Sequence, residues 1–227
     1  MATSTATSQL PELSALGMLE ADRTALALAE PESPGQSTGQ PLAQASTPVY
    51  YRTKAAYVLW MLRDIAGDAA LSAALRVYNF AADAPGSNAD QTSFEKLLEK
   101  ASHRDMAWFF ADWVNADKGL PDLSIHSVFP SAESSGNWLV SVDVANSGYA
   151  SAEVPVTVRS ASASVTQRLL VPARGNGVQR ILIQGKPVQV EVNDGTVPEI
   201  EASVHITRLD QPQDSSSSSS QPASPQQ

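Results

Sequence analysis

Cysteine is absent from all 227 residues. That excludes disulfides, thiol catalysis and Cys-ligated zinc, and it leaves the compartment open. Histidine is scarce, with only three residues, His103, His126 and His205, and none is followed by glutamate. No Gly-x-Ser-x-Gly elbow, phosphate-cradling glycine loop or calcium-loop pattern occurs. Asp122, Asp143 and Asp194 stand in turns or strands without a partner at catalytic spacing. Basic residues are outnumbered, 15 Lys and Arg against 24 Asp and Glu, for a net charge of -9. Such a balance argues against nucleic acid and against an anionic membrane surface, both of which reward clustered cations. No hydrophobic run approaches the roughly 18 residues of a spanning helix. Met1 to Leu10 also lacks the basic start and apolar centre of a signal peptide, so the chain reads as soluble and without an address.

What is present divides into four parts. Residues 1–46 read as mostly disordered, with one helix from Pro11 to Glu30 carried by Leu13, Leu16, Leu19 and Leu26 and weakened by Gly17. Residues 47–121 are expected to be helical. A helix from Tyr50 to Ala66 places Ala55, Val58, Leu59, Leu62 and Ile65 on one face, with Gly67 as its C-cap and Asp68 as the next N-cap. A third helix runs from Asp68 to Phe80 with Leu71, Leu75 and Tyr78 inward, and residues 82–91 are a loop on composition. Thr92 and Glu95 form a capping box for a short helix, and Ser102 with Asp105 repeats the device before a stripe of Met106, Phe109, Phe110, Trp113 and Val114. Lys118-Gly119-Leu120-Pro121 ends the helical part.

From Leu123 the apolar period changes from 3.6 to 2. Strands are expected at Leu123–Val128, Trp138–Ala145, Glu153–Ser160, Val165–Val171, Val178–Gln184, Val188–Asn193 and Ser203–Leu209. Turn clusters such as Asn146-Ser147-Gly148 and Asn193-Asp194-Gly195 separate them. Short strands at this spacing suggest an antiparallel β-sandwich of immunoglobulin-like type over residues 122–209, giving an α+β chain. Residues 210–227, with six consecutive serines among Pro and Gln, cannot form a core and are expected to be disordered.

Two stretches carry a resemblance. The first is Tyr51 followed by Lys54-Ala55-Ala56, Val58-Leu59, Met61-Leu62-Arg63 and Gly67-Asp68. The second is Asp105-Met106, Phe109-Phe110 and Trp113, then Gly119-Leu120-Pro121. Together they resemble the segment after the zinc site in the M1 (gluzincin) family of metallopeptidases. The resemblance implies the rear of a thermolysin-like domain handing the chain to a β-domain. It also implies aminopeptidase chemistry, zinc in the complete enzyme and a peptide substrate.

In that family a tyrosine at the start of this helix donates a hydrogen bond to the oxyanion of the tetrahedral intermediate. Here Tyr51 is the candidate, although alignment on Lys54-Ala55-Ala56 puts Arg52 at the usual position and Tyr51 one residue early. Either the turn carries one extra residue or the role is lost, leaving Tyr50 and Tyr51 as packing aromatics. The family's His-Glu-x-x-His, whose histidines hold zinc and whose glutamate activates water, is missing. The expectation is therefore the C-terminal portion of an M1-like metallopeptidase, inactive alone and binding no cofactor by itself. Its expected partner is the missing catalytic half. The rival is a non-enzymatic helical plus β-sandwich module that binds a protein.

Overall fold

The computed structural model describes residues 17, 23, 26, 27, 42, 48–78, 93–116, 118–201 and 204–209, with the side chains of residues 48–51 outside the description. The chain is α+β, with helices before residue 116 and two antiparallel sheets after residue 122. Gly17, Arg23, Leu26 and Ala27 are helical, and Leu26 is fully buried in the core. The rest of the expected Pro11–Glu30 helix lies outside the described residues, as do the Ser/Gln/Pro tail and Thr92.

Helix α1 spans Pro48–Ala66, α2 Asp68–Val77, α3 Phe94–Ser102 and α4 Ala107–Phe110, which continues as a π-turn, Ala111–Asn115. The buried face of α1 is Thr53, Lys54, Tyr57, Val58, Met61, Leu62 and Ile65. It is rotated from the expected one, for Leu59 is 49 % exposed and Ala55 only half-buried. Gly67 follows α1 at φ 87°, a backbone state that only glycine adopts without strain. Gly67 is itself the N-cap of α2, while Asp68 sits inside the helix and pairs with Arg63 at 2.5 Å. Ala70 and Ala74 form the buried stripe of α2, whereas Leu75 is exposed.

The start of α3 is set one residue later than the expected box. Ser93 is the N-cap, its hydroxyl accepting from the Lys96 amide. Ser102 does not cap the next helix; it closes α3, whose C-cap is His103 in the left-handed region. Met106 is the N-cap of α4, and Asp105 just before it accepts from Ala107 N at 2.9 Å.

All seven expected strands form. They are β1 Leu123–Ala132, β2 Asn137–Asn146, β3 Ala152–Ser160, β4 Ser164–Val171, β5 Gly175–Gln184, β6 Pro187–Val192 and β7 His205–Arg208. One sheet has the order β1-β2-β5 and the other β4-β3-β6-β7. Every pairing is antiparallel, and β1 carries a bulge between Ile125 and Ser127. The period of 2 places Val140, Val142 and Val144 of β2, Val154, Val156 and Val158 of β3, Ile181 and Ile183 of β5, and Val190 and Val192 of β6 in one buried cluster. The same cluster takes in Tyr57, Met61 and Leu62 of α1, Phe109 of α4 and Trp113 of the π-turn, so helices and sheets share a core.

Candidate functional site

Tyr51, the candidate oxyanion donor, lies on the first part of α1, and its side chain falls outside the described residues. What the structure defines is the frame that holds α1 in place. Three residues after Tyr51, Lys54 is 1 % exposed, with its ammonium 5.7 Å from the Trp113 ring centroid. A desolvated cation against an indole face gains from the ring's quadrupole. Lys54 and Trp113 belong to the two stretches that sequence singles out, and folding brings them together.

The π-turn fixes Trp113. The indole Nε1 donates to Ser151 O at 2.9 Å, while the neighbouring Asp112 accepts from Ser151 N at 3.0 Å. Two successive residues thus satisfy both backbone groups of Ser151, just before β3. Asp112 is buried and its other oxygen pairs with Lys118 at 2.5 Å. The extra residue of a π-turn shifts side chains off their ordinary helical positions; here both Asp112 and Trp113 are buried at the sheet end.

The far end of α1 is tied to the second sheet by charge. Glu153 of β3 is 4 % exposed and receives Arg104 at 2.6 Å and Arg168 of β4 at 2.8 Å. Arg104 also donates to Ile65 O at 2.8 Å, and Arg168 reaches Asp64. A buried carboxylate met by two guanidinium groups keeps its charge compensated, which is the condition for placing it there.

A second buried carboxylate joins the strands of the two sheets. Glu199 is 1 % exposed and accepts from Leu123 N at 2.8 Å, Asn193 Nδ2 at 2.8 Å and His205 at 2.9 Å. It ties the start of β1 and the end of β6 to β7. Sequence patterning overlooked Glu153, Asp112 and Glu199, since Arg104, Ser151 and Leu123 reach them from 49, 39 and 76 positions away and the nearer partners Lys118, Asn193 and His205 form no helical or strand spacing with them.

The histidines are dispersed. His103 is the exposed C-cap of α3, His126 is exposed at the β1 bulge, and His205 is engaged with Glu199. Asp122 bonds Ser147, Asp143 accepts from Asn176, and Asp194 accepts from Thr196 N at 3.0 Å. Among the described residues no three His, Asp or Glu side chains stand together as a metal requires.

One concavity stands apart from these bonded networks. Helices α1–α3, α4 and its π-turn enclose an open groove of about 350 Å³, largely apolar, with Glu95 on its lining. Burial, with Glu99 and Asp105 nearby, pushes the Glu95 carboxyl above its ordinary range, while Lys96 pulls the other way. Among the described residues no helix is long and apolar enough to cross a membrane. No protein-family model matches the chain, and no curated protein matches it.

Proposed function

We propose that this chain is the C-terminal part of an M1-like zinc metallopeptidase, an aminopeptidase, and that it does not hydrolyse peptides alone. In this reading α1 to α4 are the rear of the thermolysin-like domain, and the two sheets form an immunoglobulin-like sandwich behind it. The meeting of Lys54 with Trp113 carries the reading. The two resembling stretches lie in family order, pack on each other and lead directly into antiparallel sheets. Zinc, the His-Glu-x-x-His helix and the peptide site belong to the missing catalytic half. Tyr51 contributes the phenol that reaches the oxyanion once the halves are together.

The purified chain with added zinc is expected to leave aminoacyl-anilide substrates uncleaved. Chelator-sensitive turnover by the chain alone contradicts the proposal. The coding sequence immediately upstream is expected to carry an in-frame His-Glu-x-x-His.

The second reading, a non-enzymatic protein-binding module, is favoured by one observation. On the outer face of the first sheet, Phe129 is 67 %, Val178 56 % and Leu182 55 % exposed. These side chains stand among Ser141, Asp143 and Arg180 on the same face, a mixed surface of the kind that can meet a macromolecular partner. An upstream sequence without the zinc motif would decide for this reading.

A further inference from the structure

Independently of any peptidase activity, we propose that the open edge of β7 pairs with the same edge of a second copy of this chain. The two strands would run antiparallel about a two-fold axis and join the second sheets of both molecules into one.

The ladder shows which backbone groups are left for such a contact. Leu209 N donates to Val188 O at 2.9 Å, and the register runs from Arg208 opposite Gln189 to His205 opposite Val192. Bonded and non-bonded pairs alternate along an antiparallel ladder. Thr207 and His205 therefore spend their amides and carbonyls on β6, while those of Ile206 and Arg208 point away from it. Among the described residues no backbone bond reaches Ile206 or Arg208 from the open side.

The other edges are blunted. β1 carries the bulge between Ile125 and Ser127 and then Pro130, two devices that deter strand addition. The edges of β4 and β5 lie side by side, with Gln179 of β5 donating to Gln167 of β4 at 2.5 Å. β7 has neither bulge nor proline, and it presents Ile206 at 55 % exposed, with Val204 just before it at 42 %.

The residue pattern of β7 selects a second copy as the occupant. Its open groups are the N–H and C=O of Ile206 and of Arg208. All of them are satisfied when Ile206 stands opposite Arg208 of the second copy and Thr207 stands opposite its own counterpart. In that register each Arg208 meets an aliphatic side chain, and like charges are not directly opposed. Glu191 stands across from Ile206 on β6, so the copy's Arg208 enters a row that already holds a carboxylate. Thr207 against Thr207 is a favourable cross-strand pair. A contact of this self-complementary kind closes at two molecules. The chain's own residues 210–227 hold no β-branched or aromatic side chain, which makes them a poor source of a covering strand.

The test uses the full chain in sedimentation experiments over a concentration series. A monomer–dimer equilibrium with a dissociation constant on the order of 10–100 μM is expected from so short an edge. Ile206→Pro removes the outward N–H and leaves the bonds to β6 in place. Ile206→Lys adds the kind of charge that guards natural edges. Each should weaken the dimer at least about ten-fold, and melting temperatures establish that both variants are folded. Because the chain has no cysteine, a single introduced thiol reports the register. Thr207→Cys should form an intermolecular disulfide on mild oxidation, since opposed non-bonded positions lie about 4.5 Å apart between Cα atoms, within a disulfide's reach. Arg208→Cys, set opposite Ile206, should crosslink at least about ten-fold more slowly. A wild type still monomeric at about 0.5 mM overturns the proposal. So does a dimer indifferent to both Ile206 changes, or equal crosslinking by the two cysteine variants.

Discussion

The ammonium of Lys54 rests 5.7 Å from the centre of the Trp113 ring, so residues nearly sixty positions apart fix the start of α1 against the turn that precedes the sheets. Trp113 is 1 % exposed and holds Ser151 O through its indole nitrogen. Trp113→Phe keeps an aromatic face, loses that hydrogen bond and leaves a void. It should destabilise the fold by about 2–4 kcal/mol. Urea unfolding with an unchanged slope would show this as a lower midpoint; an unchanged midpoint would remove Trp113 from its structural role.

Glu153 should matter more than either arginine that meets it. Glu153→Gln preserves shape but leaves two guanidinium groups without their buried counter-charge, at a cost of about 3 kcal/mol. Arg104→Ala removes a side chain that is 41 % exposed and should cost roughly 1 kcal/mol. Thermal unfolding of the two variants checks the order, and a larger loss at Arg104 contradicts the account.

Gly148 is where the chain between helices and sheets touches the β2–β3 loop. A Cβ there would overlap Leu120 O and lie 2.6 Å from Asp122 N and 2.7 Å from Pro121 C, all of it backbone. Gly148→Ala should therefore destabilise by about 1–3 kcal/mol. Gly17→Ala, in a helical residue with open space around it, should be neutral or slightly stabilising. Equal effects of the two on melting temperature would refute the close approach.

The raised carboxyl of Glu95 sets a pH dependence. A group that holds its proton more tightly when folded favours the native state below its ordinary value of 4.5 and loses that contribution as pH rises through the higher folded value. Stability relative to Glu95→Gln should thus decline from about pH 4 upward and level off once the carboxyl is ionised in both states. Melting curves of the pair across that window test it. A gap that widens in the wild type's favour as pH rises reverses the sign and removes the effect assigned to burial and to the neighbouring Glu99.

The strands were legible because a half-buried sheet writes its period of 2 directly into Val140, Val142 and Val144, and turn residues mark the ends. The face of α1 was not, because pattern reading counts Lys54 as polar and Leu59 as apolar. The fold buries the first against Trp113 and leaves the second at the groove. Likewise the box at Thr92 satisfied the spacing rule, yet Ser93 bonds Lys96 N. Adjacent hydroxyls compete for a cap, and spacing alone does not choose between them. Glu153 and Glu199 bury their charge on partners that the tertiary fold supplies, and Asp112 divides its oxygens between nearby Lys118 and distant Ser151 N.

The central claim is that this chain completes a zinc peptidase, and reconstitution with the polypeptide encoded upstream measures it most directly. Hydrolysis of an aminoacyl-anilide should be absent with either part alone and appear with zinc when both are combined. In the combined enzyme Tyr51→Phe should lower kcat by about 10²–10³ with little change in KM, because the lost hydrogen bond exists only in the transition state. Tyr50→Phe should remain near full activity. Turnover by this chain alone, or no turnover from the combination, contradicts the claim, and equal small losses from the two tyrosine changes contradict the role given to Tyr51.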